Sequence, residues 1–160
     1  MRPYAAATRS GHTRRVTTLD DVAALGAAEH GLVVVSTSRA DGSIQSSLVN
    51  AGVTPHPSTG QPVLAFVTYG KVKLVNLRAR PHMSATIRSG WQWATVEGRA
   101  HLIGPDDPDP SVDAERLRVL LREVFLAAGG THDDWDEYDR VMAEQRRTVV
   151  LVDPTRIYGN

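Results

Sequence analysis

The chain has no cysteine, which excludes disulfide frameworks, thiolate catalysis, iron–sulfur ligation and cysteine-bound zinc. Nowhere do apolar residues approach the run of ~18 that marks a membrane-spanning helix. Arg14-Arg15 is followed by Val16-Thr17-Thr18-Leu19-Asp20-Asp21 and not by an apolar stretch, so a twin-arginine export signal is rejected and a cytoplasmic location is expected. Acidic residues are missing altogether between Asp41 and Glu97, yet five basic residues stand in that span. Lysine is scarce too: of 18 basic residues only Lys71 and Lys73 are not arginine.

What remains fits one globular domain. A chain of 160 residues, 41% hydrophobic, buries roughly 70% of its unfolded surface and needs no metal or disulfide to fold. Its 18 basic and 18 acidic residues cancel, so net charge points to no polyanionic partner. The distribution is uneven: Met1–Ala100 carries 11 basic against 5 acidic residues, and His101 onward 7 against 13. Met1–Arg15 is basic, free of acids and poor in apolar residues. We expect a disordered arm over residues 1–15 and a single domain over 16–160.

Local patterns order the elements. Thr18 and Asp21 have capping-box spacing before a stripe of Leu19, Val22, Ala23 and Leu25, which predicts a helix to Glu29. Strands are expected at Leu32–Ser38, Ser43–Val53 and Pro62–Thr68, with Asp41-Gly42 as a hairpin turn. Lys71–Ala79 reads as a short helix closed by Pro81, and His82–Ser89 and Trp91–Ile103 as two more strands. Ser111 is expected to cap a helix stopped by Gly129-Gly130, Thr131 with Asp134 to open another, and Thr148–Val152 to form the last strand before Pro154. Strand and helix do not alternate regularly, which speaks against a doubly wound parallel sheet and for an antiparallel barrel with inserted helices.

The turn from Thr68 to Arg78 is the best place for chemistry. A strand ending in Thr68-Tyr69-Gly70 feeds a helix whose first turn holds Lys71 and Lys73. Cations are disfavoured at a helix N-terminus by the dipole, so an anion is expected beside them. Elsewhere the residues point to no site. The six histidines show no metal-ligand spacing, Asp133, Asp134, Asp136, Glu137 and Asp139 read as a solvated acidic face, and Ser46 and Ser47 lack a nucleophile elbow. No aromatic and basic platform for nucleic acid is present.

Four stretches, Asp41–Asn50, Lys73–Pro81, Ala94–Ala100 and Val152–Gly159, resemble in order and spacing the flavin/deazaflavin split-barrel family typified by pyridoxamine 5′-phosphate oxidase. The Lys73-x-x-Asn76-Leu77-Arg78-x-x-Pro81 stretch is most similar to the branch using coenzyme F420. The resemblance implies a mainly β protein with helices, a homodimer of six-stranded antiparallel split β-barrels with cofactor sites between subunits. It further implies that Ser47, Val49 and Asn50 lie along the ring system. Thr68, Lys71 and Lys73 would hold the phosphate, Asn76 would brace that turn and Arg88 would add charge near the cofactor tail. Coenzyme F420 is the expected cofactor, FMN the alternative, and the reaction a hydride transfer to a conjugated small molecule with no catalytic side chain. A module that only binds the cofactor is a third reading. Trp91 and Trp93 share one sheet face, where packing in the core or the dimer interface is expected over stacking on a cofactor. Neither membrane nor nucleic acid is an expected partner.

Overall fold

Thr18 opens the first element: its hydroxyl accepts from the Asp21 N–H, and the Asp21 carboxylate accepts from the Thr18 N–H. This capping box starts α1 (Leu19–Ala28). The structure, a computed structural model, describes residues 18–160, so the arm expected over residues 1–15 lies outside the described residues. After α1 come β1 (Leu32–Ser38), β2 (Ile44–Pro55), β3 (Pro62–Thr68), α2 (Lys71–Ala79), β4 (His82–Ser89), β5 (Gln92–Ile103), α3 (Ala114–Ala127), α4 (Trp135–Glu144) and β6 (Thr148–Gly159). The six strands close into a barrel in the order β1-β2-β3-β6-β5-β4, every neighbouring pair antiparallel. The fold is the expected mainly β, six-stranded antiparallel barrel with helices.

Two apolar clusters explain where the helices sit. Side chains alternate across a strand, and on β3 and β6 both sets are buried. Leu64, Phe66, Val150 and Val152 point into the barrel, with Leu74 and Leu77 of α2 and Val22 and Leu25 of α1 in the same cluster. Val63, Ala65, Val149 and Leu151 face outward, against Leu120, Leu121 and Val124 of α3 and Tyr138 of α4. The β3–β6 wall is therefore sealed on both sides. The outer face of β1 and β2 has no such cover, and Leu32, Val34, Ile44 and Leu48 are exposed there.

Three boundaries differ from expectation. Asp113, not Ser111, caps α3, by accepting from the Arg116 N–H at 2.8 Å, because Ser111 is engaged by Asp109. Asp134 caps α4 by accepting from Glu137, where Thr131 was the expected opener. Strand β6 continues past Pro154 to Gly159. Its pairing with β5 shifts register beside Gly98, and the Thr155 hydroxyl donates to the Glu97 carbonyl there. A bulge of this kind accommodates a proline that has no N–H to give. Glycine is needed opposite, since a Cβ at Gly98 would meet the Asp153 carbonyl oxygen at 2.3 Å.

Trp91 and Trp93 are also not core residues. Trp91 stands in solvent at the β4–β5 turn, and Trp93 meets Tyr158 edge-on at 6.0 Å. Nor is the acidic face of α4 wholly solvated, because Asp139 accepts hydrogen bonds from both Arg118 and Arg122. No described helix is long and apolar enough to cross a membrane.

Candidate functional site

The β3–α2 turn forms one wall of a cavity of about 620 Å³. Strand β2 contributes Val49 and Asn50, the turn contributes Thr68, Tyr69, Gly70 and Lys73, and the ends of α3 and α4 close the far side with Phe125, Tyr138 and Arg147. No aspartate or glutamate lines it.

Lys73 is the side chain that needs explaining. It is only 7% exposed, and no hydrogen bond or ion pair reaches it among the described residues. Burial pushes its pKa below the ordinary lysine value, with no neighbouring charge to offset it. The turn makes room for the ammonium: a Cβ at Gly70 would stand 3.1 Å from Lys73 Nζ and 3.4 Å from Thr68 Oγ1. Thr68 Oγ1 accepts from the Gly70 N–H at 3.1 Å, which leaves its own proton to give. Gly70 offers no side chain to cap α2, so none of the first-turn N–H groups is satisfied by a capping side chain. A buried cation, a hydroxyl and free amides thus converge on an acid-free space. That combination suits a phosphate.

The other expected site residues divide. Val49 lines the cavity while also packing on the barrel core, and Asn50 lines it with its amide donating to the His30 carbonyl at 2.9 Å. Ser47, Lys71, Asn76 and Arg88 are not among its lining residues. Ser47 has a buried hydroxyl without a partner among the described residues, and Lys71 is exposed at the first position of α2. Asn76 is buried and donates to Thr37 Oγ1 at 3.0 Å, and Thr37 donates to Gln45 Oε1. It braces α2 against β1 rather than the turn itself. Arg88 is exposed and donates to the Gly90 carbonyl.

Sequence reading missed Tyr69, Phe125, Tyr138 and Arg147, which come to the cavity from helices α3 and α4 and from the β3–α2 and α4–β6 connections. Burial raises the Tyr138 phenol to about 12, and its hydroxyl donates to the Leu121 carbonyl. It is a structural wall. The histidines, too, hold more than their spacing shows: His56 donates from Nε2 to His101 Nδ1, and His101 Nε2 meets Asp109. No group of three or more metal-ligating side chains is assembled among the described residues.

The family model described as pyridoxamine 5′-phosphate oxidase matches residues 19–160. The chain belongs to this family. Solved structures with the same fold include a conserved hypothetical protein from Mycobacterium tuberculosis, 17% identical, with 94% of this chain and 89% of that one covered at a TM-score of 0.64. A protein described as an F420 reductase is 18% identical, covering 79% of this chain and 87% of that one at 0.53. A pyridoxamine 5′-phosphate oxidase-related, FMN-binding protein from Nostoc punctiforme is 13% identical, covering 86% and 81% at 0.58. Solved structures with this fold, then, include proteins named for FMN and for F420. At such identities the likeness carries the fold alone.

Proposed function

We propose that this member of the family is an oxidoreductase that binds the phosphorylated form of a deazaflavin, coenzyme F420, in the cavity beside the β3–α2 turn. The observation that carries the reading is Lys73, a buried ammonium with no partner among the described residues, in a cavity that none of the described acids lines. A reduced deazaflavin held there would supply a hydride to a conjugated small molecule such as a quinone or an enone, the cofactor being oxidised as the substrate is reduced. The protein's part is to fix the phosphate with Lys73, Thr68 and the α2 amides, to shape the apolar wall with Val49 and Phe125, and to exclude water. FMN is the second reading, since the donor set around Lys73 suits any phosphorylated flavin and the fold is shared with an FMN-binding protein.

The bare outer face of β1 and β2 supports a homodimer. Leu32, Val34 and Leu48, 42%, 45% and 61% exposed, adjoin on neighbouring strands, and Ile44, 66% exposed, lies beyond the Ser36–Ser46 pair on the same face, apolar surface of the kind that marks an interface. Size-exclusion chromatography with light scattering should give twice the chain mass, and Val34→Glu should shift it to monomer.

Titration with F420 and with FMN, followed by ligand fluorescence, tests the cofactor. Saturable binding below about millimolar, a free energy more favourable than about −4 kcal/mol, is expected for F420. Failure of both ligands to bind in that range overturns the reading. Turnover with a panel of quinones and enones separates an enzyme from a cofactor-binding module.

A further inference from the structure

Seven arginines follow His101, and six of them, Arg116, Arg118, Arg122, Arg140, Arg146 and Arg156, are ion-paired. Arg147 has no ion pair among the described residues, although it lies in the acid-rich half of the chain. Its guanidinium carbon lies 3.8 Å over the Tyr69 ring, and its Nε donates to Gln145 Oε1 at 2.8 Å. No other hydrogen bond reaches its side chain among the described residues. The charged or titratable neighbours it feels are the phenols of Tyr69 and Tyr138, both of which line the cavity. Burial lowers its pKa, as for Lys73.

Local structure puts it there. Helix α4 ends in a Schellman pattern: the Arg146 N–H donates to Ala143 and the Arg147 N–H to Met142. Arg146 takes the left-handed turn at φ 49, a position where glycine is usual, and its side chain turns out to pair with Asp106. Arg147, the next residue, turns in. The site most often given to an apolar side chain that packs back on the helix is occupied by a guanidinium laid on an aromatic ring.

Tyr69 and Gly70 are neighbours. Arg147 stacks on the first, and Lys73 Nζ lies against the second, so the two unpaired cations flank the same turn. We propose that Arg147 is the second anion-binding residue of this cavity, closing on the same phosphate as Lys73 from the opposite side of the Thr68–Gly70 turn. The proposal rests on the reading above that a phosphorylated flavin or deazaflavin occupies the cavity. Arginine suits the position because its planar fork presents parallel N–H groups to two oxygens and also stacks on a ring; lysine does neither. Lys71, exposed at the start of α2, takes no part.

The test is the dissociation constant of the full chain and its Arg147→Gln, Arg147→Lys and Lys73→Met variants for F420 and FMN. Riboflavin and the phosphate-free deazaflavin chromophore are the controls. Arg147→Gln should weaken both phosphorylated ligands by roughly 10- to 150-fold, the range for one hydrogen bond to a charged group, and leave the phosphate-free ligands unchanged. Arg147→Lys, which keeps charge without fork or stack, should fall between wild type and Arg147→Gln, and it carries the test if the glutamine variant does not fold. Wild-type affinity in Arg147→Gln alongside weak binding in Lys73→Met overturns the proposal and leaves the cofactor reading standing. Equal loss for phosphate-free ligands overturns it as well, since Arg147 would then act on the ring or the wall. Loss of F420 binding alone moves the fork to the carboxylate tail and overturns the shared-phosphate geometry. If neither phosphorylated ligand binds the wild type, the cofactor reading and this inference fall together.

Discussion

Replacing Lys73 with methionine should make the ligand-free protein more stable while weakening its grip on the cofactor. Methionine keeps an unbranched stem of similar length, so Leu74, Leu77 and the rest of the α2 packing are undisturbed. What disappears is an ammonium 7% exposed with no partner. A buried donor left unsatisfied costs about 1–3 kcal/mol, and the variant should gain about that much in urea unfolding at pH 7. The lysine's pKa is lowered in the fold, so the unfolded chain holds the proton more tightly and wild-type stability rises with pH below the ordinary value of 10.5. The gap between variant and wild type should therefore narrow from pH 7 to pH 10. Cofactor reverses the order of gains. Ligand at 100 times its dissociation constant adds about 2.7 kcal/mol to the wild type. A variant that binds roughly 10- to 150-fold more weakly gains only about 0.3–1.4 kcal/mol from the same concentration. Unfolding curves at two pH values, with and without ligand, measure all of this. A ligand-free variant less stable than wild type by more than about 1 kcal/mol at pH 7 would refute the reasoning, because the ammonium would then be satisfied by the protein and would call for no anion.

Three further perturbations probe the frame around the site. Gly52→Ala should destabilise by at least the ~1–3 kcal/mol of an overpacked core, because the new Cβ would meet the carbonyl carbon and oxygen of Ala127 at 2.2 Å; chemical denaturation reads it. Thr148→Val should raise the thermal midpoint, with a gain of about 1 kcal/mol, since the Thr148 hydroxyl is buried with no hydrogen-bond partner among the described residues. Acidification should loosen the β2–β3 turn. His56 Nδ1 accepts from the Ser58 N–H, its Nε2 donates to His101, and His101 contacts Asp109, so a second proton on His56 must displace the Ser58 bond. Burial, then the charge of His101, lowers the His56 pKa against the pull of Asp153 and Asp109. The stability it contributes is complete above the ordinary value of 6.5 and is lost as pH falls through the lowered one. Protection of the Ser58 amide, its exchange rate set against the intrinsic rate at the same pH, should fall over that interval in wild type and stay constant with pH in His56→Gln.

The fold was legible wherever a residue's neighbours along the chain decide its conformation. Thr18 with Asp21 announced α1, and Asp41-Gly42 announced the hairpin, because a capping box and a tight turn are satisfied within four residues. The unbroken apolar run in β3 was read as a strand, and it is one because α3 and α4 seal its outer face. Legibility ended where a distant partner decides. Ser111 has a good capping side chain, but Asp109 and Ser58 claim it, and Ser58 lies 53 positions away. Pro154 looks like a strand end until Gly98, paired with it on the neighbouring strand β5, makes room for the bulge.

The candidate site divides along the same line. Lys73, Thr68 and Gly70 lie within six residues, so their convergence was written in the turn itself. Which of two lysines turns inward was not, because that depends on the packing of α2: Lys73 falls on the buried face with Leu74, Asn76 and Leu77, and Lys71 on the open one. Arg147 was hidden twice over. Along the chain it forms with Arg146 a basic pair at a helix C-terminus, a pattern the macrodipole explains without any ligand. Only the pairing of Arg146 with Asp106 and the stacking of Arg147 on Tyr69, 78 positions away in the sequence, separate the two. An arginine that stays unpaired where carboxylates are plentiful is more informative than one without a partner in an acid-free strand, because forgoing an available ion pair needs a reason. The cavity between Lys73 and Arg147 supplies one.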